Sequence, residues 1–270
     1  MKSAARQLRR ALLAGLVATA AVTTAPPAGA ATPTHPEQDE AGAQIARYEG
    51  TRSDVRSGGY FSDDNPLGLD VSSHQGNVDW DAASRNGATF AYIKATEGTT
   101  YTNPYFTQQY NGSYQAGMIH GAYHFALPNA SDGVTQANYF VDHGGGWSSD
   151  GRTLPPALDI EYNPYGEPCY QLDPAAMTAW IRAFSDQILA RTGRPPMIYT
   201  STTWWSKCTG NNDGFSANPL WLPRYGDSIG TLPNSWHFQT IWQFADKGVF
   251  PGDQNRFNGP ISGLRTFATG

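Results

Sequence analysis

The sequence contains few cysteines, few charged side chains and no apolar run long enough to cross a bilayer. Only two of its 270 residues are cysteine, and charged residues make up 15%. These figures exclude a small disulfide-rich scaffold and a highly charged disordered chain. The apolar stretch at residues 11–22 is well short of the roughly 20 residues that a spanning helix needs. We therefore expect a globular protein without a membrane anchor.

The first thirty residues have the pattern of an export signal. Four cations precede the apolar stretch at 11–22, and an Ala-Gly-Ala cleavage site ends at Ala30. An Arg-Arg pair at residues 9–10 leaves the twin-arginine route open beside the general secretory route. We predict that residues 1–30 are a signal peptide and that the protein is secreted and extracellular.

Acidic residues outnumber basic ones after the predicted signal. That part of the chain carries 14 lysines and arginines against 23 aspartates and glutamates. An acidic chain without basic runs argues against nucleic acid as a partner. We also expect the protein to be a monomer.

The two cysteines, Cys169 and Cys208, are typical of a single disulfide in an exported protein, with two free thiols as the alternative. Closing a loop of about 40 residues would stabilise the fold by roughly 4 kcal/mol.

Residues 31–65 are rich in proline, glycine, serine and acidic side chains, and large aliphatic residues are scarce. Such a segment buries too little apolar surface to offset its ordering entropy. We predict a flexible linker, a pro-segment or a loosely docked arm here, followed by one catalytic domain at residues 66–270.

Strand-like and helix-like patterns alternate from residue 66 onward, which predicts an α/β fold with a parallel sheet, open or closed into a barrel. The helical signal fades after residue 202, so an irregular barrel fits better than eight complete β/α units. The predicted strands are 67–73, 90–96, 119–126, 156–162, 196–202, 220–224 and 241–245, and the predicted helices are 80–86, 105–116, 134–143 and 174–191.

Two carboxylates lie two positions apart in the predicted strand 156–162. Asp159 and Glu161 would project from one face of that strand, because side chains alternate. Neighbouring carboxylates do not ionise together easily, so one pKa should rise into the range of a general acid. Glycosidic cleavage needs such a pair, one protonated and one ionised. A metal pair or a plain exposed Asp-x-Glu is the alternative, but the apolar strand favours catalysis.

Five motifs follow one another along the chain: GLDVSSHQG (68–76), YIKATEG (92–98), GAYHFA (121–126), ALDIEYN (157–163) and IWQF (241–244). In this order they resemble the strand motifs of glycoside hydrolase family 25, and the similarity extends over residues 67–259. Within that family, the chain resembles the secreted actinobacterial lysozymes. The resemblance implies an N-acetylmuramidase with a flattened (β/α)5(β)3-like barrel that cuts peptidoglycan glycan strands without a cofactor.

The resemblance also implies roles for four carboxylates. Glu161 falls on the family's proton donor in a retaining mechanism. Asp159 falls on the partner that either attacks the sugar or orients the substrate's 2-acetamido group, and we favour the second. Asp70 and Asp253 fall on two supporting aspartates.

Other side chains in these motifs are candidates for substrate binding, with core packing as the alternative for each. Tyr123, Tyr162 and Trp242 could stack on sugar rings, and Glu97 and Gln243 could bind hydroxyls. Trp204 and Trp205 could equally line a subsite or fill the core.

His120 and His124 share one face of a predicted strand, but no third ligand follows at a recognisable spacing. We therefore expect structural roles for both and no metal site.

Three other functions are possible for a chain of this kind. A chitinase-like glycosidase would need acids where this chain has Leu154 and Ala157. A catalytically silent peptidoglycan-binding barrel is the main alternative, although all four carboxylates are present. A phage endolysin is disfavoured by the predicted signal peptide.

Overall fold

The structure is a computed structural model that describes residues 33–51 and 65–270. The predicted signal peptide, residues 1–30, lies outside the described residues. Within the described part of the chain, no helix has the length and apolarity needed to cross a membrane.

Eight strands close into a barrel in the order β1, β2, β4, β5, β6, β7, β8 and β9, with β9 returning to β1. Neighbours from β1 to β8 are parallel, whereas β9 is antiparallel to both β8 and β1. The strands are β1 (Leu67–Val71), β2 (Ala88–Glu97), β3 (Tyr101–Thr102, paired only with β2), β4 (Ile119–Phe125), β5 (Ala157–Asp159), β6 (Met197–Tyr199), β7 (Leu220–Pro223), β8 (Ile241–Ala245) and β9 (Asp253–Phe257).

Between consecutive barrel strands, helices occur only after the first five barrel positions. These helices are α2 (Trp80–Arg85), α3 (Phe106–Gln115), α4 (Gly133–Asp142), α5 (Pro174–Thr192) and α6 (Thr202–Thr209), while α1 (Ala43–Glu49) precedes the barrel and α7 (Ile261–Thr269) follows it. The connections β7–β8 and β8–β9 contain no helix. The predicted irregular α/β barrel is therefore confirmed, including its five-plus-three division.

Local signals explain the longest helix. The Asp173 side chain accepts a hydrogen bond from the Ala176 amide at 2.8 Å and caps the N-terminus of α5. Gly193 ends the helix in the left-handed conformation, with φ of 74°. The apolar side chains spaced along one side of α5 are buried in the main core cluster: Met177, Trp180, Ile181, Phe184 and Ile188.

Two elements that position the site escaped the sequence prediction. Helix α6 begins at residue 202, where the helical signal was predicted to fade, and is capped by the Ser201 hydroxyl. Its Trp204 and Trp205 lie in the core with no exposed surface, so they line no subsite. Strand β9 was missed because its first three residues are polar, although all three are buried.

Cys169 and Cys208 form a disulfide that ties the β5–α5 connection to α6. The sequence separation is 39 residues. We expect the double variant Cys169→Ser/Cys208→Ser to lose about 4 kcal/mol of unfolding free energy, because the unfolded chain regains the entropy of an open loop. Urea denaturation of both proteins measures this loss. Equal unfolding free energies would contradict the prediction.

Residues 33–51 pack onto the barrel. They contain a 3-10 turn at Pro36–Gln38 and helix α1. Ala41 and Ile45 are 0% and 2% exposed and belong to the main core cluster. The segment buries little apolar surface and is held mainly by hydrogen bonds to distant residues of the barrel. The amino-acid composition of the segment does not indicate such hydrogen bonds.

Candidate active site

Polar side chains collect at one end of the barrel. The carboxyl ends of parallel strands meet at one rim, which brings together Asp70 on β1, Glu97 on β2 and Asp159 on β5. Because β9 runs antiparallel, its first residue, Asp253, lies at the same rim and pairs with Asp70. Gln243 on β8 joins them through a 3.0 Å hydrogen bond to Asp70.

Asp159 and Glu161 come from one extended segment. Asp159 ends β5 between Phe125 and Tyr199 of the neighbouring strands. The ladder continues one residue further, because the Ile160 amide donates to the Tyr199 carbonyl at 3.0 Å. Both carboxylates are fully buried at this rim, and Leu158 and Ile160 are buried in the core. The alternation predicted from the sequence places the two acids together.

The two carboxylates differ in their hydrogen bonds. Neither oxygen of Asp159 has a hydrogen-bond partner. Glu161 accepts the Gly42 amide on Oε1 at 2.7 Å and the Ile45 amide on Oε2 at 2.8 Å. Both donors come from the segment that precedes the barrel, so this segment occupies the site next to the reactive pair.

A polar network supports Asp70. Its Oδ2 accepts hydrogen bonds from the side-chain amides of Gln243 and Asn255, the latter at 2.6 Å. The Oε1 of Gln243 in turn accepts the hydroxyls of Tyr199 and Tyr225 at 2.8 and 2.9 Å. The network fixes the orientation of Gln243, because its amide nitrogen and oxygen have different partners.

Burial raises the pKa of every acid in this cluster. It raises the pKa of Asp70 from 3.8 to about 7 and that of Glu161 from 4.5 to about 8. The pKa of Asp159 rises well above its usual range, first through burial and then through the negative charge of Glu161. The pKa of Asp253 rises likewise through burial and the charge of Asp70. These acids therefore hold protons at a pH where exposed carboxyls are ionised.

We expect the folded chain to lose stability as the pH rises from about 6.5 to about 8. Asp70 and Glu161 bind protons more tightly when folded, so they stabilise the fold below their ordinary pKa values and lose this effect as the pH rises through about 7 and about 8. The pKa values of His120 and His124 are lowered, so these two residues make the fold more stable as the pH rises. This effect is confined to pH values below their ordinary pKa of 6.5. The melting temperature at about pH 6.5 and about pH 8 tests this prediction.

The same melting experiment has a built-in comparison. Glutamine at position 161 cannot ionise, so Glu161→Gln should show a smaller decrease of the melting temperature across this pH range. A wild-type chain that is more stable at about pH 8 would contradict the assignment of raised pKa values to these acids.

Glu97 pairs with a buried lysine at the edge of the cluster. Lys94 and Glu97 are both fully buried and form a 2.6 Å ion pair. The Tyr165 hydroxyl donates to the other oxygen of Glu97 at 2.9 Å. Burial of Glu97 is thus compensated by two donors, as a buried charge requires.

The predicted aromatic candidates have different positions. The Tyr123 hydroxyl accepts the Ala41 amide at 3.2 Å, and the Tyr162 ring stacks on Tyr48 with centroids 4.3 Å apart. Trp242 does not join the cluster. It lies on the opposite face of β8 from Gln243, and its indole donates to the Arg224 carbonyl at 2.7 Å.

The histidines of β4 have structural partners. His120 contacts the Tyr110 carbonyl at 2.9 Å, and His124 lies between Thr96 and Gln136 at 2.8 and 3.0 Å. Among the residues described, no three His, Cys, Asp or Glu side chains are grouped as a metal site would require.

Sequence analysis missed several residues of this site, namely Lys94, Tyr165, Tyr199, Tyr225 and Asn255. Two of these residues could have been found from the sequence. Tyr199 lies in a predicted strand, and Asn255 lies two positions after Asp253, where side-chain alternation places it on the same face. Tyr225 and Tyr165 lie in connections, where no local pattern predicts their direction.

Comparisons with known proteins agree with this architecture. The pattern of the family described as "Glycosyl hydrolases family 25" matches residues 69–253. An N,O-diacetylmuramidase from Chalaropsis sp is 50% identical over 208 residues, covering 75% of this chain and 99% of the relative. Lysozyme M1 from Streptomyces globisporus is 41% identical over an alignment of 285 residues, covering 98% and 97%.

A solved structure is similar over the barrel. The bacterial lysozyme from Streptomyces coelicolor matches with a TM-score of 0.75 at 44% identity. The match covers 77% of this chain and 99% of that chain.

Proposed function

The chain belongs to glycosyl hydrolase family 25, and we propose that it is a secreted, monomeric lysozyme that cuts peptidoglycan. The bond in question is the β-1,4 link between N-acetylmuramic acid and N-acetylglucosamine. Export through the predicted signal at residues 1–30 is part of this proposal.

The observation that carries the proposal is the Asp159–Glu161 pair at the carboxyl-end rim of the barrel. Glycosidic cleavage needs one protonated and one ionised acid: Glu161, with its pKa raised to about 8, would be the proton donor, and Asp159 in its ionised form would be the partner for the developing positive charge. Asp70 and Asp253 lie at the same rim, and ionisation of one acid raises the pKa of its neighbours, which keeps a proton in the cluster.

Glu161 is the proposed acid and base. It protonates the glycosidic oxygen as the bond from that oxygen to the anomeric carbon breaks. The anomeric carbon then bonds either to the oxygen of the substrate's 2-acetamido group, held by Asp159, or to Asp159 itself. In the second step water attacks this carbon, the bond from the carbon to the acetamido oxygen or to Asp159 breaks, and the water gives a proton to Glu161, so the configuration is retained.

Four further residues are proposed to hold the glycan. Gln243 and Glu97 offer polar groups at the rim, and Tyr123 and Tyr162 offer ring faces and hydroxyls beside Glu161. In the structure each of these four residues contacts residues 33–51 or a neighbouring barrel residue. A sugar could bind to the same groups in place of those partners.

Product analysis tests the proposed reaction. Purified cell walls are digested, the new reducing ends are reduced with borohydride, and the fragments are analysed by mass spectrometry. Reduced muramic acid at the new ends is expected. Reduced glucosamine would contradict the proposed bond, and no new ends despite wall binding would favour a catalytically silent barrel. The digestion uses the chain from Asn65 as well as the longer chain from Ala31.

A further inference from the structure

The part of the chain that precedes the barrel lies in the proposed catalytic cleft. We infer that residues 35–49, the cleft segment, are an autoinhibitory segment that keeps the enzyme latent until they are displaced or removed. The inference rests on the proposed function for its activity measurement, but binding of the segment can be measured without it.

The cleft segment saturates the proposed acid. Its Gly42 and Ile45 amides donate to the two oxygens of Glu161 at 2.7 and 2.8 Å. A glycosidic oxygen must approach one of these oxygens to receive a proton, and neither is free. Asp159 and Glu161 are both 0% exposed, so no sugar reaches the pair while the segment is bound.

Gly42 fits the centre of the cleft because it has no side chain. A Cβ atom there would lie 2.2 Å from the Tyr225 hydroxyl and 2.8 Å from Gln243 Oε1. Its φ of 100° is also in a region that other residues rarely adopt. Gly42 is therefore the one position where a single methyl group should displace the segment.

Polar contacts anchor the cleft segment before Gly42. The Lys94 ammonium donates to the carbonyls of Pro36, at 3.0 Å, and Asp39. The Tyr165 hydroxyl shares its single hydrogen between the carboxylates of Asp39 and Glu97. The Ala41 carbonyl accepts the Gln243 side-chain amide at 3.0 Å. Gln243, which is proposed to bind the glycan, thus binds the segment in this structure.

Contacts after Gly42 continue along the cleft. The Tyr162 hydroxyl donates to Glu49 at 3.1 Å, and the Ser201 hydroxyl donates to the same carboxylate oxygen. Tyr48 stacks on Tyr162 with an interplanar angle of 15°, as a sugar ring could. A cavity of about 470 Å³ between Ile45 and residues 223–228 continues the cleft beyond the segment.

Related proteins fold without this segment. The Streptomyces coelicolor structure covers 77% of this chain and 99% of its own. Only 17 residues follow Asp253, the end of the family match, so most of the unmatched part precedes residue 69. The segment is thus dispensable for this barrel fold. Lysozyme M1 aligns with 98% of this chain, so that alignment extends over the segment.

Because the cleft segment is covalently linked to the barrel, even weak binding of the segment is sufficient to keep the enzyme inactive. A short linker gives an effective concentration on the order of 1 mM, so a free peptide that binds with a Kd of about 10 µM would suppress the intact chain about 100-fold. This relation connects the two experiments that follow.

The first experiment measures wall clearing by the chain from Ala31 and by the chain from Asn65. We expect the shorter chain to clear walls at least about tenfold faster, since the tether no longer supplies the segment. Equal rates from two folded proteins, checked by circular dichroism, would overturn the inference. If neither protein clears walls, the proposed function fails, and the binding experiment decides on the segment alone.

Glycine variants of the longer chain locate the effect. Gly42→Ala should raise its clearing rate toward that of the chain from Asn65. Gly50→Ala is the matched control, because Gly50 also has a positive φ of 84° but has nothing within 4 Å of its would-be Cβ. Equal rates for the two variants would contradict the close fit at Gly42.

The second experiment titrates a synthetic peptide of residues 33–51 into the chain from Asn65 by calorimetry. We expect saturable binding with one peptide per barrel, and at least about a tenfold higher Kd for the Gly42→Ala peptide. The barrel variant Glu161→Gln should also bind the peptide more weakly, because the amide offers one acceptor oxygen for two donors. A peptide that does not bind the folded barrel overturns the inference even if that barrel clears walls.

Discussion

Replacing Glu161 by glutamine should slow the clearing of purified cell walls by about 10²–10⁴-fold, the range that general acid catalysis contributes. Glutamine keeps the size of the side chain but has no proton to give to the leaving oxygen. With residues 33–51 in the cleft, burial raises the pKa of Glu161 to about 8, so this acid carries its proton near neutral pH.

The variant is best made in the chain from Asn65, where residues 33–51 cannot mask the loss. Glu167→Gln is the matched control, since Glu167 is an exposed acid six residues further along the same chain segment. Circular dichroism should show an unchanged fold for both variants. Undiminished clearing by Glu161→Gln would remove this residue from the mechanism.

Asp159→Asn should have the second largest effect, a loss of about 10²–10³-fold, comparable to removing one group that stabilises charge in a transition state. Neither oxygen of Asp159 has a protein partner in the closed cleft. Both are therefore available to the substrate once residues 33–51 leave. Asp186→Asn, an exposed acid of α5 made to the same amide, should clear walls at the wild-type rate.

Inhibition separates the two roles that we consider for Asp159. A thiazoline analogue of the cyclic acetamido intermediate should bind the wild-type chain from Asn65 and bind Asp159→Asn much more weakly. That result supports substrate assistance. Covalent labelling of Asp159 by a fluorinated glycoside would contradict it and assign the direct nucleophile instead.

Strand periodicity accounts for most of what could be predicted about the site. The alternation in residues 156–162 correctly placed Asp159 and Glu161 on one side and Leu158 on the other. The same rule argues against placing both Trp242 and Gln243 in the site, because adjacent residues of one strand face opposite sides of the sheet. Only Gln243 lies in the cluster, where it bonds to Asp70.

Residues without a local pattern could not be assigned. Strand β9 is polar in sequence, and its burial depends on closing the barrel between β8 and β1. Tyr225 lies in the connection after β7. Its hydroxyl donates to Gln243 because the carboxyl ends of β7 and β8 lie side by side at one rim of the barrel. Such contacts depend on the positions of several elements at once.

By itself, the sequence determined seven of the eight barrel strands, helices α2 to α5 and the pairing of two acids on one strand, and its resemblance to a known family implied the five-plus-three barrel. These properties follow from side-chain alternation, helix capping and motif order, which act over a few residues. Only the tertiary structure decided how deeply the acids are buried, and hence how far their pKa values rise. It alone placed Gly42 against Glu161, 119 residues away in the chain, because such a contact depends on packing in space and leaves no periodic trace in the sequence.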